Sequence, residues 1–424
     1  MRYWSDPRAR RWLIWGSLAA AFLLVNLHRL STAVLADRLM AAFDATGVEL
    51  GNLHAAFFYI YATLQLPAGV LVDRLGTRWT AAGGLAVMNL GVVVFGLSRS
   101  YAPAFVGRAL VGLGASVIFV SVLRHGANWF RPTEFATMNG LTVSMAGLGG
   151  MLATTPLALA IAAAGWRTTF LGLAGFGLLV ALVVAVVVRD TPASAGLDEI
   201  SGVGPTPDRS LAEIRTSAGR VLREPETWLL GVVLFCSTGV SVTVLGLWGI
   251  PYLVQTYGLS VTRASTYTLL GSLGLLLGPP AIGWLSDRLE RRTALMVVGG
   301  VLYAATFALL SAAGDPPRAA VGVAFFAAGG LVGVFSLAYA VVQERHDSAT
   351  SGVSIGTVNT LAFFGPALVP TAMGAVLDGF WTGETVAGAR VYTLVGYRVA
   401  FGLAAVFGVV ALAGSLWLHY RIER

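Results

Sequence analysis

Between residues 69 and 78 the chain reads Gly69-Val70-Leu71-Val72-Asp73-Arg74-Leu75-Gly76-Thr77-Arg78, and 214 residues later it reads Gly283-Trp284-Leu285-Ser286-Asp287-Arg288-Leu289-Glu290-Arg291-Arg292. The two stretches share Gly-x-x-x-Asp-Arg-Leu, and their separation is half of the 424-residue chain. A second echo lies at nearly the same offset, where Glu134-Phe135-Ala136-Thr137-Met138-Asn139-Gly140 faces Ser348-Ala349-Thr350-Ser351-Gly352. Short polar turns that recur at one fixed offset mark a duplicated unit, with two copies packed against each other.

What lies between the turns decides the solvent. The chain is 56% hydrophobic and 12% charged, with a mean hydropathy of +0.76, whereas soluble domains carry about a quarter charged residues. Apolar runs of about 20 residues cross a bilayer as helices. Twelve are read here: 13–37, 50–71, 79–98, 104–129, 135–163, 167–188, 227–256, 264–285, 293–313, 319–343, 351–377 and 396–419. Arg8, Arg10 and Arg11 before Trp12 imitate a signal peptide. The apolar run continues past residue 30 without a small-residue cleavage site, so it is read as the first span. Cys236 is the single cysteine, which excludes an internal disulfide framework.

Every basic residue among the 28 is an arginine. With the amino terminus in the cytoplasm, 19 fall on the cytoplasmic side. Seven (Arg38, Arg99, Arg167, Arg263, Arg318, Arg390 and Arg398) fall outside, and Arg29 and Arg108 lie within spans. That bias predicts a multi-pass protein of the cytoplasmic (inner) membrane with both termini inside. The net charge of +7 is then topological, scattered over short loops, and offers no patch for nucleic acid. The one long polar interval, Asp190 to Glu226, holds Pro192, Gly202, Gly204, Pro205 and Pro207. In it Asp208 is placed to cap a short amphipathic helix carrying Leu211, Ile214, Val221 and Leu222. The expected organisation is a bundle over 1–190, a cytoplasmic linker over 191–226 and a second bundle over 227–424.

These residues resemble the major facilitator superfamily. The run Gly69 to Arg78 looks like that family's signature loop, Gly283 to Arg292 like its weaker copy, and Gly107-Arg108-Ala109-Leu110-Val111-Gly112-Leu113-Gly114 like its second motif. The resemblance covers essentially the whole chain. It implies an all-α integral membrane protein of twelve transmembrane helices in two pseudo-symmetric six-helix bundles. It also implies alternating access to a small solute, with no cofactor and a complete pathway in each monomer. On physical grounds Gly69 would permit close helix packing, and Asp73 would face the N-terminal end of a neighbouring helix. Arg74 and Arg78 would reach carboxylates or helix C-terminal carbonyls. The resemblance implies that this cluster, with Asp287 and Arg288 in the copy, latches the cytoplasmic side when the protein opens outward. The plainer alternative is that these arginines only anchor the topology.

Polar residues inside spans are costly and tend to face a water-filled cavity. The sharpest is Arg29, halfway along the first span, beside His28 and one turn after Asn26. No acidic residue lies at comparable depth in another span, and Asp37 is two turns further out. A guanidinium without a carboxylate is a candidate counter-ion for an anionic solute, unless Asp37 or backbone carbonyls occupy it. His54, Phe58, Tyr61 and Gln65 form one stripe on the second span, and Ser237, Ser241, Trp248 and Tyr252 form another on the seventh. Tyr339, Gln343 and Asn359 would complete the wall. Arg124, at the cytoplasmic end of the fourth span, reads as an anchor or gate, and Arg108 as a coupling or interface residue.

The deep arginine, the exit Val122-Leu123-Arg124-His125-Gly126-Ala127-Asn128-Trp129-Phe130 and Gly165-Trp166-Arg167 resemble the branch that carries organic anions and organic phosphates. The organophosphate exchangers add a basic residue in the seventh span, and none stands between Trp228 and Tyr257 here, so a monoanion or zwitterion suits the chain better. A drug or metabolite exporter is the alternative, weakened because Gly147-Leu148-Gly149-Gly150 lacks that branch's proline. Protons coupled through His28, His54 or Asp37 and exchange of one anion for another both remain open. The five histidines show no metal-ligand spacing, which argues against an embedded enzyme. A non-transporting membrane sensor on the same fold is the rival from another class.

Overall fold

Inside a bilayer every backbone N–H and C=O must find its partner within the protein, and the chain meets this demand almost wholly with helices. The computed structural model describes residues 6–198, 200–203, 219, 221–345 and 348–422, without the side chains of 66, 132, 133, 136, 343 and 348–353. In chain order the helices are α1 (Pro7–Leu30), α2 (Ala36–Phe43), α3 (Gly47–Thr63), α4 (Gln65–Leu97), α5 (Tyr101–Ala115), α6 (Ile118–Trp129), α7 (Pro132–Leu152), α8 (Thr155–Ala164) and α9 (Trp166–Val187). The second half continues with α10 (Pro225–Thr243), α11 (Gly249–Tyr257), α12 (Val261–Leu289), α13 (Arg292–Ala313), α14 (Arg318–Gly330), α15 (Val332–Arg345), α16 (Ser348–Asp378) and α17 (Leu394–Ile422).

Ten described helices are long and apolar enough to span a membrane, or eleven when α7 and α8, bent by 42°, count as one. The expected second span falls outside that count because Leu64 breaks it into α3, of 17 residues, and the start of α4. α4 itself joins two expected spans through Gly76, whose φ of 78° only glycine adopts cheaply. Both halves seat helices backbone to backbone at glycines. A Cβ on Gly91 would lie 2.7 Å from Gly107 O, and one on Gly278 would lie 2.6 Å from Gly330 Cα.

The amino terminus, both Asp-Arg loops and the carboxyl terminus share one end of the molecule, tied there by Arg11–Glu134 and Arg421–Glu226. We call this the terminal end. The opposite end carries a feature not expected from the sequence, a β-hairpin of β1 (Trp381–Val386) and β2 (Ala389–Tyr392). Its turn places Ala387 and Gly388 at φ 52° and 83°, a two-residue turn with both central residues left-handed, as tight hairpins require. At this hairpin end the halves meet closely, with α3 running along α16. A Cβ on Gly51 would come within 2.6 Å of Pro370 O. Thr371 Oγ1 donates to Asn52 Oδ1 at 3.0 Å, and Ser265 Oγ donates to Thr155 Oγ1 at 3.1 Å. Between described residues, no hydrogen bond joining the halves lies nearer the terminal end than Asn359 Nδ2 to Gln65 Oε1, at 3.4 Å.

Candidate functional site

α1 stops at Leu30, turns through Ser31 and Thr32 and resumes as a 3-10 turn over Ala33–Leu35. Arg29 therefore sits in the last turn of a helix, where the C-terminal carbonyls favour a cation. Its guanidinium carbon lies 4.9 Å from the ring centroid of Phe363 on α16 and 5.6 Å from that of Phe58 on α3. One ring comes from each half, and cation–π attraction holds the group between them. Among the described residues no carboxylate pairs with it, and its Nε is buried without a hydrogen-bond partner. Asp37 does not fill that role, since its Oδ1 is itself buried without a partner.

A polar chain crosses from one half to the other beside this arginine. Tyr339 OH donates to Asn359 Oδ1 at 2.9 Å, Asn359 Nδ2 to Gln65 Oε1 at 3.4 Å, and Gln65 Nε2 to Tyr61 O at 3.3 Å. Tyr61 and Tyr339 lie within electrostatic reach of Arg29, and Tyr61 meets Phe363 edge to face at 4.8 Å. The structure thus brings together Arg29, Tyr61, Gln65, Tyr339 and Asn359. The adjoining cavity, about 60 Å³, is lined by Arg29, Thr238, Ser241, Leu245, Ser272 and Val332 among others. That is far below the roughly 300–1,000 Å³ of a typical ligand pocket. Larger hollows lie at the flanks and the terminal end, and none of them contains a buried unpaired charge.

Four candidates lie elsewhere. Asn26 is buried against α7 near Gly149, and its Nδ2 bonds Phe22 O at 2.9 Å. His28 is turned to Phe170 of α9, with a ring separation of 6.1 Å. Trp248 Nε1 donates to Pro370 O at 3.1 Å, and Tyr252 OH to Gly314 O at 2.8 Å, both inside the second half. The physical reason for the last two is a π-helical turn over Val244–Trp248. One extra residue per turn rotates everything beyond it, so a stripe counted at 3.6 residues loses its register. His54 is fully buried, its ring nitrogens unpartnered, against Gly246 of that turn. The Gln343 side chain and the linker helix proposed after Asp208, at Leu211 and Ile214, lie outside the described residues.

Phe363, Thr238 and Ser272 were missed. The spacing of Ser265, Thr268 and Ser272 along one face of α12 was a readable signal. Nothing in the sequence pointed to Phe363.

The gating candidates other than Arg108 gather at the terminal end. Arg124 Nη1 lies 3.4 Å from Asp73 Oδ1, and Asp73 is 59% exposed rather than set against a helix N-terminus. Arg78 Nε donates to Ala185 O at 2.6 Å in the last turn of α9, and Arg78 N donates to Asp190 Oδ1 at 3.0 Å. Arg74 is exposed. In the copy, Arg292 pairs with Asp287 at 3.6 Å and Glu344 at 2.7 Å, and Arg288 lies 5.5 Å from the ring of Trp284. Gly69 corrects an expectation: a Cβ there would meet nothing within 4 Å, and the same holds at Gly283. Close helix approach occurs instead at the hairpin end, through Gly47 and Gly51. Arg108 Nη1 donates to His28 O at 2.8 Å, tying the end of α1 to α5. Beneath these, Arg11 binds Glu134 through both carboxylate oxygens, at 2.7 and 3.0 Å, which holds that carboxyl below its usual range.

The chain is 28% identical to a probable sulfoacetate transporter of Cupriavidus necator, over 69% of each chain. It is 23% identical to the hexuronate transporter of Bacillus subtilis over 93% of each. Its fold superposes on a bacterial homologue of the human lysosomal transporter Spinster, solved in an inward-facing and occupied conformation. The TM-score is 0.80, with 98% of both chains covered at 17% identity. The family model described as Major Facilitator Superfamily matches residues 4–370, and the chain belongs to that family of membrane transporters.

Proposed function

We propose that the protein moves a small anionic organic solute across the cytoplasmic membrane by alternating access, as a secondary transporter working as a monomer. Residues 1–190 and 227–424 are the moving bundles and 191–226 the linker, with both termini in the cytoplasm. In that orientation the terminal end is cytoplasmic and the hairpin end external. The observation that carries the reading is Arg29, a buried cation with no carboxylate among the described residues, held between Phe58 and Phe363 where the halves meet. A solute carboxylate or sulfonate supplies the missing charge and accepts two parallel N–H bonds. Tyr61, Gln65, Tyr339 and Asn359 then read its hydroxyls or carbonyls. One arginine balances one negative charge, which favours a monoanion over a phosphate ester. Relatives named for sulfoacetate, a dianion, and hexuronate, a monoanion, support the organic-anion class and leave the charge count to the arginine. Binding between two bundles that rock about a central site is what a duplicated architecture of this kind supports.

Counterflow in proteoliposomes is the test. Vesicles preloaded with an unlabelled organic sulfonate or sugar acid should accumulate the labelled one through this protein. No exchange with any organic anion, in vesicles where the protein is inserted and folded, would favour a sensor that has kept the fold.

A further inference from the structure

The last residue of α16 is an aspartate, Asp378. An acidic side chain at its own helix's C-terminus opposes the helix dipole, so its place there needs another reason. Its partners supply one. Asp378 Oδ1 accepts from Gly47 N at 2.7 Å and Oδ2 from Val48 N at 2.8 Å. These are the first two N–H groups of α3, in the other half of the molecule. The third, Glu49 N, is taken by Thr46 Oγ1 at 3.1 Å in a reciprocal capping box, and Leu50 N already bonds Thr46 O. The first turn of α3 is therefore fully satisfied, half of it from its own chain neighbourhood and half from across the interface. Arg390 Nη1 and Tyr392 OH of the hairpin each lie 3.4 Å from Asp378 Oδ1, which holds the carboxylate in place.

We propose that Asp378 is a latch that closes the hairpin end, released when α3 and α16 separate. A carboxylate then stands at each end of the molecule. Asp73, on α4 at the terminal end, is exposed beside Arg124, while Asp378 ends α16 at the hairpin end and is engaged. When the hairpin end opens, water replaces Asp378 on Gly47 and Val48, and Arg390 retains the carboxylate. This inference rests on the rocking motion in the proposed function but not on the solute's identity.

Double electron–electron resonance on full-length protein in a Cys236→Ser background tests it. Spin labels at Arg99→Cys with Arg318→Cys report the hairpin end, and labels at Leu75→Cys with Leu289→Cys report the terminal end. Hydrogen bonds to a charged group are each worth about a tenfold change in an equilibrium. Asp378→Ala should therefore raise the hairpin-open population about tenfold or more, with a matching shortening at the terminal end. Asp378→Asn should give a smaller shift, and Tyr392→Phe, which removes one of the two hairpin groups on the carboxylate, a smaller one still. Distances unchanged in both Asp378 variants, with the wild type still sampling two distances at each end, would overturn the latch alone. A single fixed distance at both ends in every variant, Asp73→Ala included, would overturn the latch together with the rocking motion.

Discussion

The first and seventh spans occupy equivalent places in the two halves and fail as straight helices at the same point. α1 ends at Leu30, and 214 residues later Val244 opens the π-helical turn. What differs is the residue just before the break. It is Arg29 in the first half and Thr243 in the second, where the hydroxyl is buried with no hydrogen-bond partner. Duplication preserved the interruption, which gives both spans the pliancy that rocking bundles need, and left the charge on one side only. The scaffold is symmetric and the charge is not.

Breaking the charged side should have the largest effect. Arg29→Ala removes two charge-assisted hydrogen bonds, together about 3 kcal/mol, so binding of the anionic solute should weaken at least a hundredfold. Because an unpaired buried charge is costly, the solute-free protein should melt no lower than the wild type. Titration calorimetry and a melting curve on one preparation check both outcomes. Gly246→Val probes the interruption itself. A Cβ there already comes within 3.0 Å of Leu30 Cδ2 and 3.2 Å of His54 Cε1, so the branched side chain wedges the spans apart at the π turn. Transport should fall about tenfold, as expected of overpacking by 1–3 kcal/mol, with a smaller loss in binding.

The quieter side should respond in stability alone. Trp248→Phe loses the bond to Pro370 O, about 1 kcal/mol, and should lower the melting temperature while leaving solute affinity at the wild-type value. Reduced affinity would return Trp248 to the cavity wall. The smallest effect concerns anchoring. Arg11 ties α1 to Glu134. Arg11 lowers the Glu134 pKa in the folded state, so the ion pair contributes fully above the ordinary carboxylate range and is lost as pH falls through the lowered value. For a half-exposed pair this amounts to roughly 0.5 kcal/mol. Glu134→Gln should flatten that part of the stability profile, below the ordinary carboxylate range, and change little at neutral pH.

The fold was legible because lipid leaves few solutions. Apolar runs of spanning length, arginines gathered on alternate turns and one motif repeated at a fixed offset each follow from a single constraint and agree with one another. The site was legible where a polar residue had no means of satisfying itself. Among the described residues Arg29 has no carboxylate partner, and Gln65, Tyr339 and Asn359 reach one another across the halves. Asn26 misled because an asparagine in a helix can bond the carbonyl four residues back. Trp248 and Tyr252 misled because a π turn has no signature in a single sequence. The contact of Asp378 with Gly47 spans 331 residues, and only the packing of α3 on α16 brings the two together.

The central claim is that a single arginine at the meeting of the halves recognises an anion. Titration calorimetry of purified wild type and Arg29→Gln against monocarboxylates, sulfonates, sugar acids and their neutral analogues tests it most directly. An anion should bind the wild type and bind Arg29→Gln at least a hundredfold more weakly, with the neutral analogues inert. A neutral or cationic ligand whose affinity is the same in both proteins would contradict it.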